Sequence, residues 1–119
     1  MSNRHVINLL STEGFILCNQ KIAQTLSLHS AVILGSLCSL YEYHSERGTL
    51  VNDMFYCTAA TLQQKTTLNS YEQRKAIANL IDAGILSVIK TGLPARNHFK
   101  IHTDAIIKVL ESDPEITEK

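Results

Sequence analysis

"TTLNSYEQRKAIANLIDAGIL", residues 66–86, decides the fold. It begins with small polar residues, becomes amphipathic, stops at a glycine and leads into an apolar run. Ser70 stands three residues before Gln73, and this S-x-x-Q spacing predicts a capping box at a helix start. The helix is expected from about Tyr71 to Ala83. Ile77, Leu80 and Ile81 form its predicted core stripe, with Ala76 at the edge. Gly84 is expected to close it in the left-handed conformation that glycine adopts cheaply. Helical periodicity turns Tyr71, Lys75, Ala78, Asn79 and Asp82 away from the stripe and leaves Arg74 on its flank.

Downstream, "ILSVIK" (85–90) is β-branched and apolar, and reads as a strand. "TGLPARN" holds the turn formers Gly92 and Pro94, and "HFKIH" (98–102) alternates like a returning strand. Thr103 is expected to cap a last helix, "DAIIKVLES", before an acidic, frayed end after Asp113-Pro114. Upstream, Thr58 can cap the short helix "AATLQQKTT", with Leu68-Asn69 as the turn out of it. "TLVNDMFYCT" gives a turn at Asn52-Asp53 and a short aromatic strand. Residues 27–47 form the longest periodic segment, with Leu28, Ala31, Leu34, Leu37, Cys38 and Tyr41 on one face. Gly35 within it is expected to admit another element closely, and Gly48 to cap its end. "QKIAQTLSL" reads as a helical turn, "GFILCN" (14–19) as a strand, and "HVINLL" as a short strand or helix.

Helix, short strand, helix, turn, helix and hairpin make an α+β, mainly α fold: a winged helix-turn-helix with a C-terminal β-hairpin wing. The expected organisation is an N-terminal extension at 1–13, a winged helix at 14–102, and a C-terminal helix with acidic tail at 103–119. A length of 119 residues suits one domain, and 45% hydrophobic residues suffice for a core.

The formal net charge is zero, but the charge is unevenly spread. From Lys65 to Lys108 seven basic residues face three acidic ones, a local +4. Because fields decay over about 10 Å at ordinary salt, the local excess sets the electrostatic footprint. No apolar run approaches the roughly 20 residues of a membrane span. "VINLLSTEGFILC" is interrupted at residues 11–14 and lacks a basic leader and an A-x-A site, which argues against a signal peptide. Cys18, Cys38 and Cys57 are odd in number and sit in apolar contexts, so reduced core thiols and a cytoplasmic location are expected.

The motifs resemble the winged-helix N-terminal domain of Gram-positive phage and plasmid replication proteins: replisome organisers, RepA-type and DnaD-like initiators. Phe55-Tyr56 matches an aromatic pair before the second helix. Thr67, Leu68, Asn69 and Gln73 match a capped third helix. Leu80, Gly84 and Ile85 match the approach to the wing, and Gly92, Pro94, Arg96, Phe99 and Ile101 match the wing itself. The resemblance spans roughly residues 15–102, residues 15–47 being similar to the family's leading strand and long helix. It implies double-stranded DNA as partner, a role in replication initiation, and contacts with replication proteins such as helicase or its loader. Family initiators continue into a linker and a second domain.

The residues expected to meet DNA are Ser70, Tyr71, Arg74, Lys75 and Asn79 on the third helix, and Lys90, Arg96 and Lys100 on the wing. Arg and Lys suit guanine or phosphate, Asn suits adenine, and Tyr suits phosphate. The bland alternatives are a solvated helix face and a charged hairpin that blunts an edge strand. Ile106, Ile107, Val109 and Leu110 offer the apolar surface of a homodimer, unless they pack on their own domain. His98 and His102 lie about 13 Å apart on a strand, too far to share a zinc ion, so no metal or other cofactor is expected. No phosphate loop, zinc-protease or nucleophile-elbow motif occurs, so no enzymatic activity is expected. A stand-alone transcriptional regulator and a protein-interaction module are the alternatives to the replication reading.

Overall fold

The structure is a computed structural model that describes residues 2–12, 14–92 and 96–112. Among the described residues, six helices and three strands run in the order α1 (Asn3–Thr12), α2 (Gln20–Thr25), α3 (Leu28–Arg47), β1 (Phe55–Tyr56), α4 (Ala59–Thr66), α5 (Ser70–Asp82), β2 (Leu86–Thr91), β3 (Arg96–Ile101) and α6 (Thr103–Glu111). The expected α+β, winged-helix-like architecture is present, with β2–β3 as the hairpin behind α5. The strands form one antiparallel sheet in the order β1-β3-β2.

Periodic apolar residues explain the packing. Ile33, Leu34 and Leu37 of α3, Leu62 of α4, Leu80 of α5, and Phe55, Leu86 and Phe99 of the sheet close one core, with Ile22 of α2 at its side. Local signals set the helix ends. Ser27 caps α3 through its hydroxyl, and Gly48 ends it at φ 71°. Thr58 accepts the Thr61 N–H and caps α4. Asn52 and Asp53, at φ 54° and 63°, make the tight turn between the bridge partners Val51 and Met54. The Tyr41 hydroxyl donates to Asp53 at 2.6 Å and ties that turn to α3.

Several expectations are corrected. Residues 14–19 form no strand. They run over α3 as an unpaired strap, and a Cβ on Gly35 would lie 2.7 Å from the Leu17 carbonyl oxygen. The close approach expected at Gly35 is therefore present, with an irregular segment in place of a strand. "HVINLL" (5–10), readable as strand or helix, lies within the helix Asn3–Thr12. Leu28 and Cys38 are exposed, because the buried face of α3 runs through Ser30, Ala31, Ile33, Leu34 and Leu37. Cys18 is exposed as well. Only Cys57 is a core thiol, and burial pushes it up to about 11 against the lowering influence of Lys65. Thr103 is the first residue of α6; His102 takes the cap position and makes no side-chain capping bond. Pro94 and the acidic tail from Asp113 lie outside the described residues.

Candidate nucleic-acid interface

Helix α5 is the centre of the candidate interface, and four devices fix it. Its first turn carries a capping box, one residue earlier than S-x-x-Q predicts. Asn69 accepts the Glu72 N–H at 2.9 Å, and the Glu72 carboxylate accepts the Asn69 N–H at 2.9 Å. Ser70 is then the first helical residue, and Gln73 is free for another task. Its side chain is buried and donates to the carbonyls of Ala59 (3.1 Å) and Leu68 (3.0 Å). One amide thereby locks α5 to the start of α4 and to the turn between them.

At the other end, Gly84 at φ 78° donates to the Ile81 carbonyl, and Ile85 donates to Leu80. This paired pattern is a Schellman ending, and it aims the chain into β2. In the middle, the buried Ser30 hydroxyl donates to the Ala76 carbonyl at 3.2 Å, pinning α5 to α3.

The inward stripe is Gln73, Ala76 and Leu80, with Ile77 half-buried. Ile81, expected in the stripe, is 43% exposed. The stripe has rotated toward Gln73, because the polar Gln73 is more valuable inside, against two carbonyls, than its character suggests. Ser70, Tyr71, Arg74, Lys75 and Asn79 all reach solvent, as the periodicity predicts for Tyr71, Lys75 and Asn79 and, on the flank, Arg74. The Lys75 ammonium sits 5.8 Å from the Tyr71 ring centroid, a cation–π distance. Arg74 turns toward the hairpin and lines a cleft of about 220 Å³ with Ser70, Gln73 and Asn97. Of the two acids on α5, Glu72 is engaged in the cap. Asp82 sits twelve residues after Ser70, roughly 18 Å along the axis at 1.5 Å per residue.

The wing cations are not one patch. Lys90 pairs with Asn97 in the β2–β3 register, while Arg96 pairs with Thr91 and Lys100 with Ser87. Alternation therefore puts Lys90 on the face of Phe99, and Arg96 and Lys100 on the opposite face. Lys100 is half-buried, whereas Lys90 and Arg96 are exposed. The Arg96 guanidinium lies over the Tyr56 ring, 4.9 Å from its centroid; Tyr56 belongs to the aromatic-pair motif but not to the expected DNA contacts. The alternation in "RNHFKI" signals the shared face of residues 96, 98 and 100. The Tyr56↔His98 pairing has no local signal, since it joins segments about forty residues apart.

The apolar surface expected at a dimer contact divides. Ile106 and Val109 pack on their own core, while Ile107 (48%) and Leu110 (44%) stay exposed. For the first pair the intramolecular alternative holds. Among the described residues, no three His, Cys, Asp or Glu side chains cluster as a metal site would need. The ring nitrogens of His98 and His102 meet Thr91 and Ser87 respectively. No described helix is long and apolar enough to cross a membrane.

A scan against protein-family models finds no match. A search of curated proteins finds none either. A solved structure described as the N-terminal domain of a DNA-binding protein superposes with a TM-score of 0.60 at 12% identity, covering 99% of this chain and 97% of that one. At that identity the likeness is one of fold.

Proposed function

We propose that this chain binds double-stranded DNA, without enzymatic activity, by placing α5 in the major groove. The observation that carries this reading is a rigidly held helix whose outward face bears Tyr71, Arg74, Lys75 and Asn79. A major groove about 12 Å wide admits one helix. Affinity comes chiefly from neutralised phosphates, and preference from Arg74, Lys75 and Asn79 at base edges. Ser70 at the helix start suits a phosphate, and Lys90 and Arg96 at the hairpin reach the flanking backbone, with Lys100 behind them. The structural neighbour, itself described as a DNA-binding protein's domain, supports the same reading.

The motifs of residues 55–101 favour a role in phage or plasmid replication initiation, with helicase or its loader as protein partner. A homodimer through Ile107 and Leu110 belongs to this proposal. The exposed apolar side of α1 (Val6, Ile7 and Leu10) favours a second reading, a protein-interaction module.

Fluorescence anisotropy of labelled duplex DNA at two salt concentrations tests the proposal. Wild type is expected to bind with a steep salt slope, and Arg74→Ala/Lys75→Ala to lose affinity with a shallower slope. Wild type that ignores duplex at low salt leaves the protein-interaction reading in its place.

A further inference from the structure

The side of the sheet turned away from the core carries a second set of groups suited to nucleic acid. Pairing aligns Tyr56, His98 and Ile89 in one row across β1, β3 and β2. Their neighbours Phe55, Phe99 and Val88 make the parallel row that faces the core. Tyr56 and Ile89 are 38% and 44% exposed. Arg96 stands on the same face toward the hairpin turn and Lys100 toward the other end, about 13 Å apart at 3.3 Å per residue. None of these side chains is acidic.

The groups are arranged rather than scattered. The Arg96 guanidinium lies over the Tyr56 ring at 4.9 Å, and the His98 ring sits 5.9 Å from the same ring at 42°. Thr91 holds His98 Nδ1 at 3.2 Å. The result is a short ladder of flat groups with a cation at each end.

We propose that this outer sheet face binds a single-stranded polynucleotide, with bases stacking on Tyr56, His98 and the Arg96 guanidinium and with phosphates meeting Arg96 and Lys100. Two features select that ligand. The cations without carboxylates select a polyanion. The flat groups select unpaired bases, whose π-faces are free in a single strand and covered in a duplex. Ile89 extends the row with apolar surface beside the rings. DNA and RNA strands share this chemistry. The face lies on the opposite side of the sheet from the core on which α5 packs, so the proposal uses none of the α5 residues of the major-groove reading and shares with it only Arg96 and Lys100.

The test is anisotropy at low salt with labelled oligo(dT), oligo(rU) and a duplex. Wild type is expected to bind at least one of the single strands, and the comparison of the two shows whether the sugar matters. Tyr56→Ala is expected to weaken single-strand binding about 10-fold, as loss of one stacking platform predicts, and Tyr56→Phe to retain it. Ile89→Glu places a carboxylate on the exposed face without touching the core. It is expected to leave the melting temperature near wild type and to weaken single-strand binding more than duplex binding, which keeps its α5 contacts. Arg74→Ala/Lys75→Ala is expected to lose duplex and keep the single strand. No single-strand binding by wild type overturns the proposal, as does unchanged binding by both Tyr56→Ala and Ile89→Glu. Loss in the α5 double variant also overturns it, by placing the strand on α5. Competition by poly-glutamate as strong as by oligo(dT) overturns it too, since the face would then be a charge patch only.

Discussion

Asn69 and Ser70 both accept hydrogen bonds well, and Glu72 and Gln73 both complete capping boxes, so two frames compete for one helix start. Local chemistry does not separate them. The choice falls to tertiary structure: burying Gln73 against the carbonyls of Ala59 and Leu68 forces Asn69 into the cap. This frame makes a residue-level prediction. Asn69→Ala should cost about 1 kcal/mol, the worth of an N-cap. Ser70→Ala should stay within about 0.5 kcal/mol, as an exposed substitution does. Gln73→Ala should cost more than either, about 2–3 kcal/mol, because it empties a buried site and strips two carbonyls of a donor. Urea denaturation of the three variants at equal m-value measures the order. A Ser70→Ala loss larger than that of Asn69→Ala would put the cap back at Ser70. The same residue scale explains what was legible at the candidate site. Exposure of Tyr71, Arg74, Lys75 and Asn79 follows from periodicity, whereas the place of Tyr56 beside His98 and Arg96 follows only from cross-strand pairing.

At the scale of elements, the segments with strong periodic or capping signals formed where expected. Helix α3 starts at its Ser27 cap and stops at Gly48, and the hairpin follows Gly84 directly. The exception is "GFILCN". Its composition is that of a strand, but it pairs with none of the sheet strands β1, β3 and β2. The segment instead crosses α3 at Gly35 with Phe15, Ile16 and Leu17 exposed at 50%, 46% and 70%. Gly35 is thus explained by the strap. Replacing glycine by alanine inside a helix ordinarily gains about 1 kcal/mol. Here the added methyl would meet backbone, the Leu17 oxygen at 2.7 Å, which cannot swing aside as a side chain can. Overpacking of this kind costs about 1–3 kcal/mol. Gly35→Ala is therefore expected to lower stability by roughly 1 kcal/mol net, against its helix propensity. Thermal or urea unfolding reads the sign directly. A gain in stability would mean that the strap does not hold its place over α3.

For the whole molecule, the question is what the two terminal helices do. The radius of gyration is 16.1 Å, against about 13.5 Å for a compact domain of this length. Helix α1 contributes to the difference, for it has no substantial packing partner among the described elements. A free ten-residue helix is marginal in water, and α1 shows its apolar side chains Ile7 and Leu10 at 65% and 72% exposure. Helix α6 adds Ile107 and Leu110. Uncovered apolar helix sides are what a two-fold contact uses, because both copies bring the same surface to it. Neither helix's fate was legible in the sequence, since an amphipathic pattern states that a face is covered without stating by what. The homodimer of the proposed function therefore makes a concrete prediction. Sedimentation equilibrium at about 10–100 μM should give twice the monomer mass for wild type. Ile107→Asp/Leu110→Asp should shift the protein to monomer while leaving the core-reporting near-ultraviolet circular dichroism unchanged, because both residues stand outside the core. Ile7→Asp/Leu10→Asp should act in the same direction if α1 shares the contact. If α1 is instead the docking helix for another protein, its variant should leave the mass unchanged. Wild type that sediments as a monomer throughout that range removes the dimer and leaves both helices to heterologous partners.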